Sequence, residues 1–353
     1  MKKIKYINNF TDGTGWAKAG TYNALALATR HEVYCEERKY NNNNVLLEDS
    51  LNELLRNTQE SFDYTIHHVL PTNYVKLKNT INVGFLEVEA TISNKQWLKN
   101  LKMMDLILVP DLDSLEMLKM SGIDHVKIWP HSFNYAKTVG YKDSVKLQIL
   151  NGSFNFLFVG EFSVRKNIET LLRAFYTEFN HKETVNLVIK TSGNPKTVSQ
   201  LCEHVKSQCR KGEPSKSPIV ISEYLSEQDL ISITRQCHAF VTASHGEAWC
   251  YPALESMACG LNVIYPYYTG IHSYAPTDYS VRASRGRCYG AVDAVEGLYT
   301  CQDLWTEIDL NELMKTMRRV YSNGIDLKNQ SKIQNIAKKY DYRNAQGVEE
   351  IFG

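Results

Sequence analysis

The sequence predicts an α/β protein in which strands and helices alternate through two domains with parallel sheets. Near the start, KIKYINNF is typical of a strand, TDGTGWAKAG of a glycine-rich loop and TYNALALATR of a helix. The same order of strand, loop and helix restarts at FLFVGEFSVRKNIETLLRAFYTEF. Residues 239–266, AFVTASHGEAWCYPALESMACGLNVIYP, then add a strand, a loop, a helix and a second buried strand.

Length and composition are those of an ordinary two-domain globular protein. The chain has 353 residues, of which 43% are hydrophobic and 22% are charged. A net charge of +1 gives no general reason to expect nucleic acid or a membrane surface as partner. The eight cysteines have neither C-x-x-C nor Cys/His metal spacing, and no apolar run approaches a membrane span of about 18 residues. We therefore expect reduced thiols in a cytoplasmic protein without a membrane span, as a monomer or a dimer.

Two glutamates in the 239–266 stretch suggest a ligand site at the carboxyl end of a strand. Glu247 lies in the loop, and Glu255 follows about one turn into the helix. Ligands of open α/β sheets bind at that end of the strands. The helix start around Trp249 and Cys250 also offers backbone N–H groups, which favour phosphate. A sugar nucleotide fits this combination, with Glu255 accepting from the ribose and Glu247 from the sugar, although two solvated acids at a helix edge would look similar.

The segment GEAWCYPALESMACG resembles the signature G-E-x-F-G-x-P-x-L-E-A-M-A-C-G of family 4 glycosyltransferases. It departs from that signature at Trp249, where the family has Phe, and at Cys250, where it has Gly. The resemblance implies retaining enzymes of the GT-B fold, with two Rossmann-like domains, a cleft between them and a C-terminal helix that crosses back. The implied divisions are an acceptor domain at 1–140, a linker at 141–153, a donor domain at 154–330 and a crossover helix at 331–353.

The loop after FLFVG resembles the family motif that binds the sugar-nucleotide donor. It resembles the family's V-G-R-L-x-x-x-K-G, in which the lysine, here Lys166, neutralises the donor pyrophosphate. Glu161 stands at the position of the family's Arg, and Arg165 is the candidate to replace it. The resemblance implies Glu247, Lys166 and His68 as catalytic residues. It implies donor-binding residues at Arg165, Lys190, Tyr224, Leu225, Gly246, Ala248, Trp249, Cys250 and Glu255.

The first half offers two histidines and a glycine-rich loop. The strand FDYTIHHVLP ends at His67 and His68, and the resemblance places one of them, rather His68, against the donor sugar. Strand alternation leaves open which of the two faces inward. The loop glycines miss the spacing G-x-G-x-x-G, so we predict no dinucleotide site. The loop either makes a tight turn or contacts acceptor or donor phosphate through Gly13, Thr14, Gly15, Trp16 and Lys18.

Two further motifs of the first half share the resemblance. The strand INVGFLEVE ends with Glu87 and Glu89, either of which could meet the acceptor or the donor. His131 matches the histidine of the family's P-H-G motif, with Ser132 in place of the glycine.

The resemblance implies metal-independent transfer of a sugar, with retention, from a UDP-sugar to an acceptor hydroxyl. No metal and no other cofactor is implied by the resemblance. The acceptor stays open between a glycan or lipopolysaccharide and 5-hydroxymethylcytosine in phage DNA, because NNFTDGTGWAKAG and HHVLP resemble glycosyltransferases of large bacteriophages. Lys18, Arg282, Arg285 and Arg287 would then contact DNA phosphates. A GT-B phosphorylase or epimerase is a more remote alternative, and a non-catalytic sugar-nucleotide binder is the least favoured.

Overall fold

The computed structural model describes residues 1–39, 47–55, 61–209, 216–290, 297–324 and 327–353. The chain forms two compact units. Unit 1 contains the described parts of Met1–Tyr135 and Val295–Asp303, together with Lys339–Gly353. Unit 2 contains the described parts of Ala136–Ala294 and Leu304–Lys338.

Unit 1 is built on a parallel sheet of six strands. The strands are β1 (Lys3–Asn8), β2 (Glu32–Glu37), β3 (Tyr64–His68), β4 (Ile81–Phe85), β5 (Leu106–Val109) and β6 (Val126–Ile128), in the order β2-β1-β3-β4-β5-β6. The helices between them are α1 (Gly15–Ala28), α2 (Asp49–Leu55), α3 (Lys95–Lys102) and α4 (Leu112–Met120). Because all neighbouring strands are parallel, their carboxyl ends lie along one edge of the sheet.

The core of unit 1 has two layers because helices pack on both faces of the sheet. On one face, Tyr6 and Phe85 pack with residues of α1 and α2. On the other face, Ile7 and Val109 pack with residues of α3 and α4. Side chains therefore alternate between two apolar layers along each strand, as expected for a parallel sheet that is covered on both sides.

Unit 2 repeats the architecture with a second parallel sheet. Its strands are β7 (Phe154–Val159), β8 (Val185–Lys190), β9 (Ile219–Ile221), β10 (Ala239–Val241), β11 (Asn262–Pro266) and β12 (Ser280–Val281), in the order β12-β11-β10-β7-β8-β9. An antiparallel pair, β13 (Ala283–Arg287) and β14 (Leu304–Ile308), lies apart from this sheet. The helices are α5 (Tyr135–Gly140), α6 (Ile168–Glu178), α7 (Pro195–Cys209), α8 (Glu227–Thr234), α9 (Tyr251–Ala258), α10 (Leu310–Asn323) and α11 (Leu327–Lys338).

The predicted α/β class with two parallel sheets is confirmed. The segment 331–353 differs from the single helix that we expected. Helix α11 ends at Lys338, a short 3₁₀ turn follows at Tyr342–Asn344, and a last helix, α12, covers Val348–Phe352. Ala345 and Gly347 both adopt positive φ, 46° and 74°, which a continuous helix does not allow. The predicted bounds of the linker remain a prediction.

Among the described residues, no helix combines the length and the apolar character that a membrane crossing requires.

Gly84 tests how tightly the sheet of unit 1 is packed. A Cβ at Gly84 would lie 2.6 Å from Tyr74 Cε2 and 2.8 Å from Ile107 Cδ1. We expect Gly84→Ala to lower the free energy of unfolding by about 1–3 kcal/mol, because both neighbours must move. Gly140→Ala is the matched control, since a Cβ there meets no atom within 4 Å. Urea unfolding measures both variants, and equal stability of the two would contradict the expected packing.

Candidate functional site

The loop between β7 and α6 is fixed against the loop that precedes α9. Asn167, the last residue before α6, adopts a left-handed φ of 50°. Its side-chain amide donates to the carbonyl of Ala243 at 3.0 Å. The backbone of His245 donates to the carbonyl of Arg165 at 2.7 Å. Because β7 and β10 are neighbours in a parallel sheet, both loops leave the same edge and can exchange these bonds.

A buried ion pair joins these two loops. Lys166 Nζ lies 2.8 Å from Glu247 Oε1 and 2.9 Å from Oε2, so the ammonium contacts both carboxylate oxygens. The lysine side chain is 14% exposed and the glutamate side chain is 5% exposed. Arg165 adds a second positive charge, and its guanidinium donates to the carbonyl of Gly246 at 2.8 Å. The structure thus brings four predicted residues together: Arg165, Lys166, Gly246 and Glu247.

The charges around Glu247 keep it ionised. Burial acts to raise the pKa of this carboxyl, but Lys166 and Arg165 outweigh burial, and the pKa lies below its usual value. At neutral pH the carboxylate is therefore a hydrogen-bond acceptor and has no proton to give.

The segment from Glu247 to Cys250 is held by a second loop that follows β11. Gly270 donates its N–H to the carbonyl of Glu247 at 2.6 Å, and a Cβ at Gly270 would lie 2.0 Å from the carbonyl oxygen of Ala248. Only glycine allows this approach of two backbones. The hydroxyl of Tyr274 donates to the carbonyl of Trp249 at 2.7 Å, and the two rings are 4.9 Å apart. Ala248 and Trp249 are both buried under this loop.

The donor-binding residues predicted outside these loops have different environments. Glu255 is buried in α9. Lys190 ends β8, where its ammonium donates to the carbonyl of Thr191 at 3.1 Å and burial lowers its pKa. Leu225 is half-buried, whereas Tyr224 is 89% exposed and projects into solvent. Glu161 is also exposed, at the position where the family signature has arginine.

The strand pair β13 and β14 contacts His245, two residues before Glu247, which the sequence did not indicate. The ring of His245 stacks on Trp305 with centroids 4.2 Å apart, and the N–H of Thr306 donates to the carbonyl of His245 at 2.7 Å. These partners are about 60 residues apart, and no motif spacing connects them. Two side chains of the predicted arginine run also have partners in unit 2. Arg282 pairs with Asp309 at 2.6 Å, and Arg285 donates to Thr306 Oγ1 at 2.9 Å.

Unit 1 holds a second group of buried ionisable side chains at the carboxyl ends of its strands. His68 Nε2 lies 2.7 Å from Glu87 Oε1, and His131 Nε2 lies 3.0 Å from the same oxygen. The two imidazoles are almost completely buried, whereas the Glu87 side chain is 13% exposed. Burial acts to raise the pKa of Glu87, but the two histidines outweigh it and lower the pKa to about 2. Glu87 is therefore ionised at every physiological pH.

The other ring nitrogens of the two histidines face fixed partners. Tyr6 Oη lies 2.7 Å from His68 Nδ1. The backbone N–H of Ser132 donates to Asn23 Oδ1, so the Asn23 amide nitrogen faces His131 Nδ1 at 2.8 Å. His131 Nδ1 is then the bare nitrogen, and Nε2 carries the proton next to the carboxylate. His68 likewise turns an N–H towards Glu87, because a carboxylate can only accept.

His68, and not His67, faces this cluster. Its ring stacks on Phe85 at 4.7 Å and on Trp16 at 5.3 Å. His67 points to the opposite face of the sheet, near Tyr74, and burial with the nearby charge of Lys5 lowers its pKa to about 4.

The predicted loop at 13–18 combines a left-handed turn with a helix cap. Gly13 has φ of 75°, and the side chain of Thr14 caps α1 by accepting from the N–H of Ala17. Trp16 donates its indole N–H to the carbonyl of His68 at 3.1 Å. Gly13, Thr14 and Gly15 are exposed, and Lys18 is half-buried. The loop thus makes the tight turn and also contacts the histidine cluster.

Comparison with known proteins finds a family match for one part of the chain. Residues 142–276 match the family model described as Glycosyl transferases group 1. This match covers unit 2 residues that include Lys166 and Glu247, and it is shorter than half of the chain. No curated protein matches the sequence.

Solved structures of low sequence identity share the fold over nearly the whole chain. The N-terminal domain of trehalose-6-phosphate phosphatase from Candida albicans aligns with a TM-score of 0.64 at 12% identity, covering 99% of this chain and 95% of that one. The structure described as trehalose-6-phosphate from E. coli bound with UDP-2-fluoro glucose aligns with a TM-score of 0.62 at 10% identity, covering 99% of this chain and 98% of that one. Anabaena HepE in complex with UDP-glucose gives 0.61 at 12% identity, covering 99% of each chain. The predicted GT-B fold is confirmed by these structures.

Cys250 lies at the start of α9 with a left-handed φ of 66°, where the family signature has glycine. We expect Cys250→Gly to be more stable than Cys250→Ala by about 0.5–1 kcal/mol, because a Cβ is strained in this region and glycine is not. Cys259, at φ −80°, provides the matched control. There the alanine variant should be the more stable of the pair. Urea unfolding of all four variants checks the sign, and an advantage for alanine at both positions would contradict the strain.

Proposed function

We propose that this protein is a glycosyltransferase that moves a sugar from a nucleoside-diphosphate sugar to an acceptor hydroxyl. One observation carries the proposal: the buried pair of Lys166 and Glu247 joins two loops at the carboxyl edge of a parallel sheet. The pair also lies inside the segment that matches the glycosyl transferase model. Ligands of open α/β sheets bind at this edge, and a fixed cation beside an ionised carboxylate suits a ligand with both phosphate and hydroxyl groups.

The two charges have separate roles in this reaction. A departing nucleoside diphosphate gains negative charge, and a fixed ammonium stabilises that charge in the transition state. Lys166 supplies the ammonium and Arg165 the neighbouring guanidinium. Glu247 is ionised and accepts hydrogen bonds from sugar hydroxyls, which orients the sugar for attack.

We assign the transfer to retention of configuration, on the resemblance of GEAWCYPALESMACG to the retaining family. The bond from the anomeric carbon to the phosphate oxygen breaks, and the bond to the acceptor oxygen forms on the same face. The acceptor proton passes to the departing phosphate oxygen, so no protein base is needed. UDP is the proposed nucleotide, because two solved structures of the same fold contain a bound UDP-sugar. A phosphorylase or an epimerase remains the remote alternative.

A glycan is the acceptor that we favour over modified DNA. The DNA alternative relied on Lys18 and a run of three arginines as phosphate contacts. Two of these side chains have partners within unit 2, Arg282 with Asp309 and Arg285 with Thr306. Arg285 also lies over the ring of Tyr268 at 4.6 Å. Engaged guanidiniums offer less charge to a phosphate backbone than free ones.

Lys166→Met and Glu247→Gln should each lower kcat/KM by about 10²–10³-fold, the usual cost of removing one transition-state contact. The assay measures UDP release from UDP-glucose with D-glucose, maltose or a duplex containing 5-hydroxymethylcytosine as acceptor. Lys315→Met and Glu312→Gln make the same charge changes in an exposed pair on α10 and should leave the rate unchanged. Circular dichroism confirms that each variant is folded.

The outcomes of this assay distinguish a sugar acceptor from a DNA acceptor and from the absence of transferase activity. Release that requires a sugar acceptor and is lost in both site variants supports the proposal. Release that requires the modified duplex moves the acceptor to DNA. Unchanged rates in both site variants, or no release from any sugar nucleotide by the folded protein, would overturn it. The anomeric configuration of the product, read by NMR, tests retention.

Transfer should not need a metal ion. His68, Glu87 and His131 have ligand atoms within 4.8 Å of one another, close enough to surround one. However, the hydrogen bonds of Asn23 favour the tautomer of His131 with its proton on Nε2, the nitrogen that faces the carboxylate, so a metal at this nitrogen would have to displace that proton. We expect the rate of UDP release to be the same with and without EDTA. A loss of activity that added zinc or magnesium restores would contradict this expectation.

A further inference from the structure

Unit 1 contains a cavity of about 560 Å³ that neither the proposed transfer nor the histidine cluster uses. It lies beside Ile7 and Val69, on the face of the sheet that carries α3 and α4, whereas His68 lies on the opposite face. Its volume is within the usual range of small-molecule sites, about 300–1,000 Å³. Unit 1 can therefore accommodate a second small ligand.

The lining of this cavity is basic. It includes Lys5, Arg38 and Lys39, and no acidic side chain among the described residues. The carboxylate of Glu36 pairs with Lys5 at 2.5 Å and with Arg38 at 2.6 Å, so one acid holds two cations in place. The backbone N–H of Arg38 also donates to the carbonyl of Asn8 at 2.8 Å. Because two cations share one carboxylate, an excess of positive charge remains at the cavity, and an anion would neutralise it.

A buried polar atom beside the cavity supports a polar ligand independently. His67 lines the cavity and is 2% exposed, and its Nε2 has no hydrogen-bond partner among the described residues. A buried polar atom without a partner usually costs about 1–3 kcal/mol, which a bound ligand can remove. A neutral imidazole with its proton on Nε2 is a donor, and an anion is the acceptor that suits it.

The rest of the lining includes aliphatic side chains. Ile7 is buried, whereas Val75 is 53% exposed and Leu77 is 37% exposed. Val75 and Leu77 lie between the 3₁₀ turn at Pro71–Asn73 and β4, so water contacts two large apolar side chains here. Burial of this surface by an apolar group is favourable, at roughly 25 cal/mol per Å².

We propose that this cavity is a second ligand site, which binds an amphiphilic phosphate, that is, a phosphate group attached to an aliphatic chain. Lys5 and Arg38 bind the phosphate, and Ile7, Val75 and Leu77 contact the chain. Phosphate is the anion of choice because the planar fork of an arginine can donate two parallel hydrogen bonds to it. The proposal goes beyond glycosyl transfer and does not depend on it.

The test is a calorimetric titration with hexyl phosphate, inorganic phosphate and 1-hexanol. Hexyl phosphate should bind more tightly than either of the other two, because it alone has both the charge and the chain. Arg38→Gln and Lys5→Met should each weaken its binding by about 10–100-fold, the cost of a lost hydrogen bond to a charged group. Arg30→Gln is the matched control. It removes the same charge from an exposed ion pair of unit 1, with Glu349, and it should bind like the parent.

A second variant tests the apolar part of the site. Val75→Ser should weaken hexyl phosphate by about 3–10-fold, because the chain loses an apolar contact, and should leave the binding of inorganic phosphate unchanged. Val139→Ser, at an exposed valine of α5, is the matched control and should change neither.

The source of the phosphate is tested with phosphatidylcholine vesicles, with and without phosphatidic acid. Sedimentation of the protein with the acidic vesicles alone, reversed by hexyl phosphate, supports the site with a lipid headgroup as ligand. Binding of hexyl phosphate without sedimentation supports the site with a soluble phosphate monoester as ligand.

Three results would overturn the assignment. They are no binding of hexyl phosphate by the folded parent, equal binding by the parent and Arg38→Gln, and displacement of hexyl phosphate by UDP-glucose, which would move the anion to the donor site. The proposed transfer fails separately, by the absence of UDP release while hexyl phosphate still binds.

Discussion

The salt bridge between Lys166 and Glu247 is the interaction on which the site of unit 2 depends. Two charges removed from water are stable only when they remain paired and bonded, because desolvation of an isolated charge costs several kcal/mol. The pair therefore forces the loop after β7 and the loop after β10 to keep one arrangement. Arg165, which donates to the carbonyl of Gly246, and Asn167, which donates to that of Ala243, lock the same two loops.

Unit 1 stabilises a buried carboxylate by a different method. Glu247 has a full positive charge against both oxygens, whereas Glu87 has two imidazoles against one oxygen. Both carboxylates stay ionised, because the partners outweigh the cost of burial in each case. The difference lies in how the oxygens are paired. The bidentate lysine contacts both oxygens of Glu247, so a ligand must share that carboxylate with Lys166, whereas Oε2 of Glu87 is buried without a hydrogen-bond partner among the described residues.

The sequence was sufficient for features that depend on local pattern. Strand, loop and helix periodicity predicts both parallel sheets, and the loop motifs identify Lys166 and Glu247 at neighbouring strand ends. It was insufficient where two distant segments meet. The stack of His245 on Trp305 and the approach of His131 to Glu87 depend on tertiary packing that no spacing encodes.

Strand alternation alone was also insufficient to predict which of His67 and His68 faces the cluster with Glu87. Each histidine lies on the same face of the sheet as an apolar side chain. His68 shares its face with Ile66, and His67 shares its face with Val69, the residue that follows β3. Both faces of the sheet are covered, so hydrophobicity alone does not choose between the two faces. The choice is made by Tyr6 and Phe85, which the parallel order of strands places beside His68.

Cys250 shows how a site can keep a backbone shape that its residue disfavours. A left-handed φ costs a residue with a Cβ roughly 1–2 kcal/mol, and such strain persists only where the surroundings determine the conformation. Here they do so from both sides. The hydroxyl of Tyr274 lies within bonding distance of the carbonyls of Trp249 and Cys250, and Gly270 holds the carbonyl of Glu247. These bonds fix the turn between the carboxylate and α9, so the position of Glu247 relative to the helix start does not depend on glycine at residue 250.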